Sequence, residues 1–98
     1  MLCISSSVEF EWDAVKAPRN RRRHGVVFGE AAETFLDPLA AVSLDVEHSD
    51  GEQRLMLLGR SLRGRLLVTV FTEREDRIRI ISSRPANRRE VKGYEEGV

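Results

Sequence analysis

The side chains best suited to chemistry in this sequence are its arginines, a histidine set among four of them, and a lone tyrosine. The stretch "RNRRRHG" runs from Arg19 to Gly25. Arg54, Arg60 and Arg65 fall in or beside two apolar segments, and Arg77, Arg79 and Arg84 belong to a third, "RIRIISSR". A guanidinium stays charged at every physiological pH and offers a fork of donors that matches phosphate oxygens, so several on one sheet face would suit a phosphodiester. His24 adds a group able to exchange a proton near neutral pH. Each has a plainer alternative. Arginines on a sheet surface commonly meet solvent or cross-strand acids, here Glu73, Glu75 or Asp76. "RRRHG" also suits a helix terminus, where cations complement the dipole and glycine takes the left-handed cap. Glu90 could act as a general base, but it stands three residues after Asn87, as in a capping box. Tyr94 could position a base or a phosphate, or simply pack with Val91 against a sheet.

Other chemistries lack residues. Cys3, His24 and His48 are scattered without metal-ligand spacing, so no metal is expected, and a single cysteine forms no internal disulfide. There is no phosphate-binding G-x-x-x-x-G-K, no nucleophile elbow and no paired-carboxylate motif, which removes support for nucleotide hydrolysis and acyl transfer.

Periodicity predicts the elements that must position these groups. Val8, Phe10 and Trp12 alternate with polar residues in "SVEFEW", a short half-buried strand. Asp13 offers an N-cap to a helix closing at Gly25, with Pro18 predicting a kink or a late start. Phe28, Ala31, Ala32 and Phe35 form a helical stripe that ends before Pro38. From Leu39 the period changes to two, and four strands follow: one holding Val42, Leu44 and Val46, then "RLMLLGRS", "RLLVTVFTE" and "IRIISSR", with short polar turns between them. Ile78 and Ile80 share one face of the last, Arg77, Arg79 and Ile81 the other. Asn87 and Glu90 then open a terminal helix. The order β-α-α-β-β-β-β-α, with helices on one face of an antiparallel sheet of four to five strands, predicts an α+β fold with two N-terminal helices and one C-terminal helix.

At 98 residues the chain is expected to hold one domain, residues 8–98, behind a disordered or non-native extension at residues 1–7. No run of apolar residues approaches a membrane span and the N-terminus lacks the pattern of a secretory signal, so a cytoplasmic protein is expected. Net charge is zero but unevenly placed: residues 1–50 carry 5 Lys/Arg and 9 Asp/Glu, residues 51–98 carry 11 and 7. The basic half makes a local surface for an anionic ligand plausible.

Taken in order, "FEWD", Lys16, "N...RHGVVF" from Asn20, "EAAETFLDPLA" from Glu30, His48, Glu52 with Arg54, "GRS..GRLLVTVFTER" from Gly59 and "RIRIISSRPA...E...Y" ending at Tyr94 resemble the BrnT family. These are ribonuclease toxins of bacterial type II toxin-antitoxin pairs, and the resemblance spans about Val8 to Gly97. It implies a RelE-like fold and metal-independent RNA cleavage that arrests translation, with no cofactor and no membrane. It also implies neutralisation by a cognate BrnA-type antitoxin, expected to be a ribbon-helix-helix protein, with operator DNA contacted only through that antitoxin. By the same resemblance Arg60, Arg79 and Arg84 contact phosphate and the transition state, His24 is the general base or acid, and Glu90 and Tyr94 take part. Lys16, Arg54, Arg65 and Arg77 are the implied RNA-binding cations. The family pattern has a hydroxyl residue where Val27 stands and an acid where Gly29 stands, so the second helix is expected to lack a cap. A second reading, favoured by the zero net charge, is an inactive homologue that binds antitoxin as a co-repressor.

Overall fold

The computed structural model describes residues 8–45 and 51–97. Residues 1–7, Cys3 among them, lie outside this set, as do Val46 and His48. The elements follow the expected order: β1 (Glu9–Trp12), α1 (Lys16–His24), α2 (Phe28–Glu33), a 3-10 turn (Thr34–Leu36), β2 (Ala41–Leu44), β3 (Leu55–Arg60), β4 (Leu66–Arg74), β5 (Arg77–Pro85) and α3 (Arg88–Glu96).

All five strands form one sheet in the order β1-β5-β4-β3-β2. β2 to β5 make the expected antiparallel meander. β1 corrects the expectation of a purely antiparallel sheet: it pairs parallel to β5, with Phe10 beside Ile78 and Trp12 beside Ile80. A short turn fixes strand direction only between consecutive strands, and β1 and β5 are separated by nearly the whole chain. What fixes β1 is packing, which places Phe10 and Trp12 on the helix-covered side with the two isoleucines.

That side holds the core. Phe28 and Ala31 of α2 bury against Ile80, with Phe10, Ala17 and Ala32 around them. Phe35 sits edge-on between Phe10 and Phe71, at centroid distances of 5.1 and 4.9 Å. Gly59 of β3 lets the 3-10 turn approach the sheet, since a Cβ there would lie 2.9 Å from the Thr34 carbonyl oxygen. β2, at the far edge, leaves Val42 and Leu44 exposed.

The helices also depart from the expected one-sided layer. Asn20 of α1 bonds to β5 beyond the end of β1, whereas Glu90 of α3 shares a pocket with Met56, Leu58 and Val68. These three point away from the Phe71 side, so α3 covers part of the opposite sheet face. Pro18 falls in the first turn of α1, where its missing N–H costs nothing, so the helix starts late and needs no kink. Asp13 accepts the Val15 and Lys16 N–H groups through its carboxylate. Val27 gives α2 no side-chain cap, as its type implies. Among the described residues no helix is long and apolar enough to cross a membrane.

Candidate functional site

The arginines meet on one face because β5 contains a bulge. Strict alternation from Arg77 and Arg79 would turn Arg84 to the opposite side of the sheet. The register shifts where Val70 and Phe71 face Ser82 and Ile80, leaving Ile81 as the extra residue. Thr72, Val70 and Val68 therefore stand opposite Arg79, Ser82 and Arg84, and Arg74 stands opposite Arg77. Alternate residues of β4 share a side, so Arg77, Arg79, Ser82 and Arg84 share it too. Arg60, opposite Leu66, projects from the same face.

Acids hold Arg77, Arg79 and Arg84 in place. On β1, Glu11 accepts from Arg79 at 3.0 Å and from Arg77 at 3.3 Å, and Glu9 lies 3.5 Å from Arg77. The partners are thus on β1, not Glu73, Glu75 or Asp76. The hydrogen bond from Arg79 is the main cause that draws the Glu11 carboxyl below its ordinary pKa. At the other end Arg84 donates through both terminal nitrogens to Glu90, at 2.9 Å each. This pair lowers the pKa of Glu90 and raises that of Arg84. Glu90 also completes the expected capping box, accepting the Asn87 N–H at 2.8 Å.

Tyr94 is anchored as well. Its hydroxyl donates to Asp37 at 2.6 Å, and this bond is the largest cause that raises the phenol pKa. Asp37 accepts the Arg60 N–H on the same oxygen at 2.7 Å. Burial pushes the Asp37 carboxyl up, but the donors from Tyr94, Arg60 and Leu39 outweigh it and the pKa falls. The Arg60 guanidinium lies 5.2 Å from the Tyr94 ring centroid, within cation–π range.

His24 and Lys16 stand on α1 beside this face. With Arg19, Arg23, Ile81 and Ser82 they line a groove of about 170 Å³. Asn20 makes the placement rigid: its amide nitrogen donates to the carbonyls of Val26 and Ser83, and its oxygen accepts the Ser83 N–H. One buried side chain thus ties α1 to the part of β5 that β1 leaves unpaired. His24 shares this groove with Ser82, which lies on β5 between Arg79 and Arg84, two residues roughly 15 Å apart along the strand at about 3.3 Å per residue. Such a span fits several phosphates in a row better than a single one.

Two implied cations lie elsewhere. Arg65 is on the core side, donating to the buried Glu30 at 2.9 and 2.6 Å and to the Gly25 carbonyl. Arg54 precedes β3, at the opposite end of that strand from Arg60, and its carbonyl accepts the Asp45 N–H. Glu11 and Asp37 adjoin these groups, although the sequence did not single them out, and Arg19 and Arg23 of "RNRRRHG" line the groove. The polar positions of "VEFEW" pointed toward Glu11, and the helical spacing of Lys16, Arg19 and Arg23 was a usable signal. Asp37 looked like an ordinary loop residue before Pro38. Among the described residues no three His, Cys, Asp or Glu side chains cluster as metal ligands.

The sequence model of a family described as the ribonuclease toxin BrnT of type II toxin-antitoxin systems matches residues 12–90. That span includes α1, the bulge and Glu90 and stops short of Tyr94. Among solved structures, the Brucella abortus ribonuclease toxin BrnT is similar with a TM-score of 0.65 and 25% sequence identity. The match covers 83% of this chain and 99% of that one. No curated protein sequence matches the chain.

Proposed function

The chain belongs to the BrnT family of ribonuclease toxins of type II toxin-antitoxin systems, and from that premise we propose that it is a metal-independent endoribonuclease acting in the cytoplasm. In this proposal it arrests translation by cutting RNA and is silenced by a BrnA-type ribbon-helix-helix antitoxin, through which alone it reaches operator DNA. The observation that carries the reading is the β5 bulge, which brings Arg79 and Arg84 to one face with Ser82 between them, and Ser82 shares a groove with His24.

The chemistry needs three functions: a base for the 2′-hydroxyl, positive charge for the pentavalent phosphorus and an acid for the leaving oxygen. The 2′-oxygen bonds to phosphorus as its proton passes to the base. The bond from phosphorus to the 5′-oxygen then breaks, and that oxygen takes up a proton. We assign the proton exchange to His24 and the charge stabilisation to Arg79, Arg84 and Arg60, with Lys16 and Arg77 as outlying phosphate contacts. Glu90 and Tyr94 become positioning groups, because a carboxylate bound to Arg84 and Asn87 and a phenol bound to Asp37 are poorly placed to exchange protons.

Purified protein is expected to cut RNA in the presence of EDTA. His24→Ala is expected to slow cleavage by about 100-fold or more without unfolding the protein. Intact RNA beside fully folded wild-type protein would sink the proposal. The co-repressor reading has one observation in its favour: Arg79 and Arg84 are already neutralised by Glu11 and Glu90. Tight antitoxin binding together with no cleavage would select it.

A further inference from the structure

Arg77, Arg79 and Arg84 on the sheet face are paired with acids, but α1 carries cations that are not. Among the described residues Arg19, Arg21, Arg22 and Arg23 have no carboxylate within ion-pair distance, and α1 has no acidic residue in its first turn. The helix dipole accounts for cations in the last turn only. Lys16 and Arg19 lie in the first turn, where the dipole opposes them, and Arg19 and Arg23 repel each other at i and i+4. Helix stability therefore accounts for Arg23, in the last turn, but gives no reason for Lys16 and Arg19. Position does: Lys16, Arg19 and Arg23 face the groove beside β5, whereas Arg21 points toward Trp12 and Phe28 on the other flank.

We infer that Arg19 and Arg23, together with Lys16, form a track that binds the backbone of single-stranded RNA and leads it past Ser82 to the arginine face. Arg19 and Arg23 are separated by one turn, about 6 Å along the axis, a spacing comparable to that of neighbouring phosphates on an extended strand. Both are exposed and flexible enough to follow the backbone, and neither reads a base, so the track contributes affinity without sequence preference. This inference rests on the ribonuclease reading.

The test compares two double variants with the same change in net charge on the same helix, Arg19→Gln/Arg23→Gln and Arg21→Gln/Arg22→Gln. Binding is measured with a 2′-O-methyl single-stranded oligonucleotide, which cannot be cleaved, across a salt series; cleavage is measured with the corresponding RNA. The groove variant is expected to bind about tenfold or more weakly, and its log–log salt slope is expected to be shallower by roughly 1.4, for two lost phosphate contacts. Its KM rises while kcat is retained. The flank variant is expected to stay near wild type. Equal losses in both variants would overturn the inference while leaving the ribonuclease reading intact. So would a groove variant that binds RNA normally but escapes neutralisation by an antitoxin, since the track would then serve an acidic protein. A wild-type protein that neither binds nor cuts RNA would remove both.

Discussion

Arg84 and Glu90 form a two-pronged ion pair, and the same glutamate closes the capping box of α3 with Asn87. The orientation of a sheet arginine is thereby coupled to the first turn of a helix. Arg84→Lys keeps the charge but loses the fork, and is expected to lower RNA cleavage by about 10- to 100-fold with little effect on stability. Glu90→Gln keeps an acceptor for the Asn87 N–H, so cleavage is expected to stay within about tenfold of wild type. A loss of 100-fold or more would instead make Glu90 the proton-transfer group. Rates on a defined RNA, with thermal melts of each variant, decide between them.

Tyr94→Phe removes one hydrogen bond from Asp37 and leaves the bond from the Arg60 N–H in place. The stacking of Arg60 over the ring is retained. The expected outcome is a stability loss of about 1 kcal/mol and a modest fall in cleavage, because the ring under Arg60 is kept. A fall as large as that of His24→Ala would place the phenol in the chemistry.

Asn20→Ala leaves the buried backbone groups of Val26 and Ser83 without their partners. A loss of about 3 kcal/mol is expected for this set of unsatisfied groups. It should be visible as an early thermal transition and as faster amide exchange at Ser83. A stable Asn20→Ala protein would show that α1 is held by other contacts.

Arg65→Ala strands the carboxylate of Glu30, whose side chain is only 3% exposed, and is expected to cost about 3 kcal/mol. The pH dependence follows from the same pair. The hydrogen bond from Arg65 is the first cause that lowers the Glu30 pKa in the folded chain. The unfolded chain then binds a proton more readily, so the contribution is complete above about pH 4.3, the ordinary glutamate value, and is lost as pH falls through the lower folded value. Wild type is expected to lose stability on that acid limb, and Glu30→Gln to lose less of its own. Urea titrations between pH 3 and 7 measure both. RNA affinity is expected to be insensitive to Arg65 in any variant that remains folded.

Thr72 is fully buried, with its hydroxyl lacking a hydrogen-bond partner among the described residues. Thr72→Val replaces that hydroxyl with a methyl group of similar size and is expected to stabilise the fold by about 1 kcal/mol. For a domain of this length that is a rise of roughly 4–8 °C in Tm. An unchanged or lower Tm would mean that the hydroxyl is satisfied in solution.

The sequence by itself determined what depends on neighbours along the chain. Periods of two and 3.6 marked the strands and helices, Gly25 marked the end of α1, Pro18 a kink or a late start in it, and Asn87 with Glu90 the start of α3, because caps and turns act over three or four residues. The ordered motifs around Asn20, Gly59 and Arg84 also pointed to the family. Tertiary structure decided what depends on residues far apart. It set β1 parallel to β5, put α3 on the face opposite α1 and α2, and turned Arg65 toward Glu30. Above all it set the bulge at Ile81, which turns Arg84 to the side of Arg79. A one-residue bulge changes no local preference that a reader of "RIRIISSR" can detect, yet it reverses the direction of every side chain beyond it, since strand side chains alternate with a period of two. "RNRRRHG" divides on the same principle. Its helix-ending pattern is local, but only the docking of Asn20 onto Ser83 separates the cations that face the groove from those that do not.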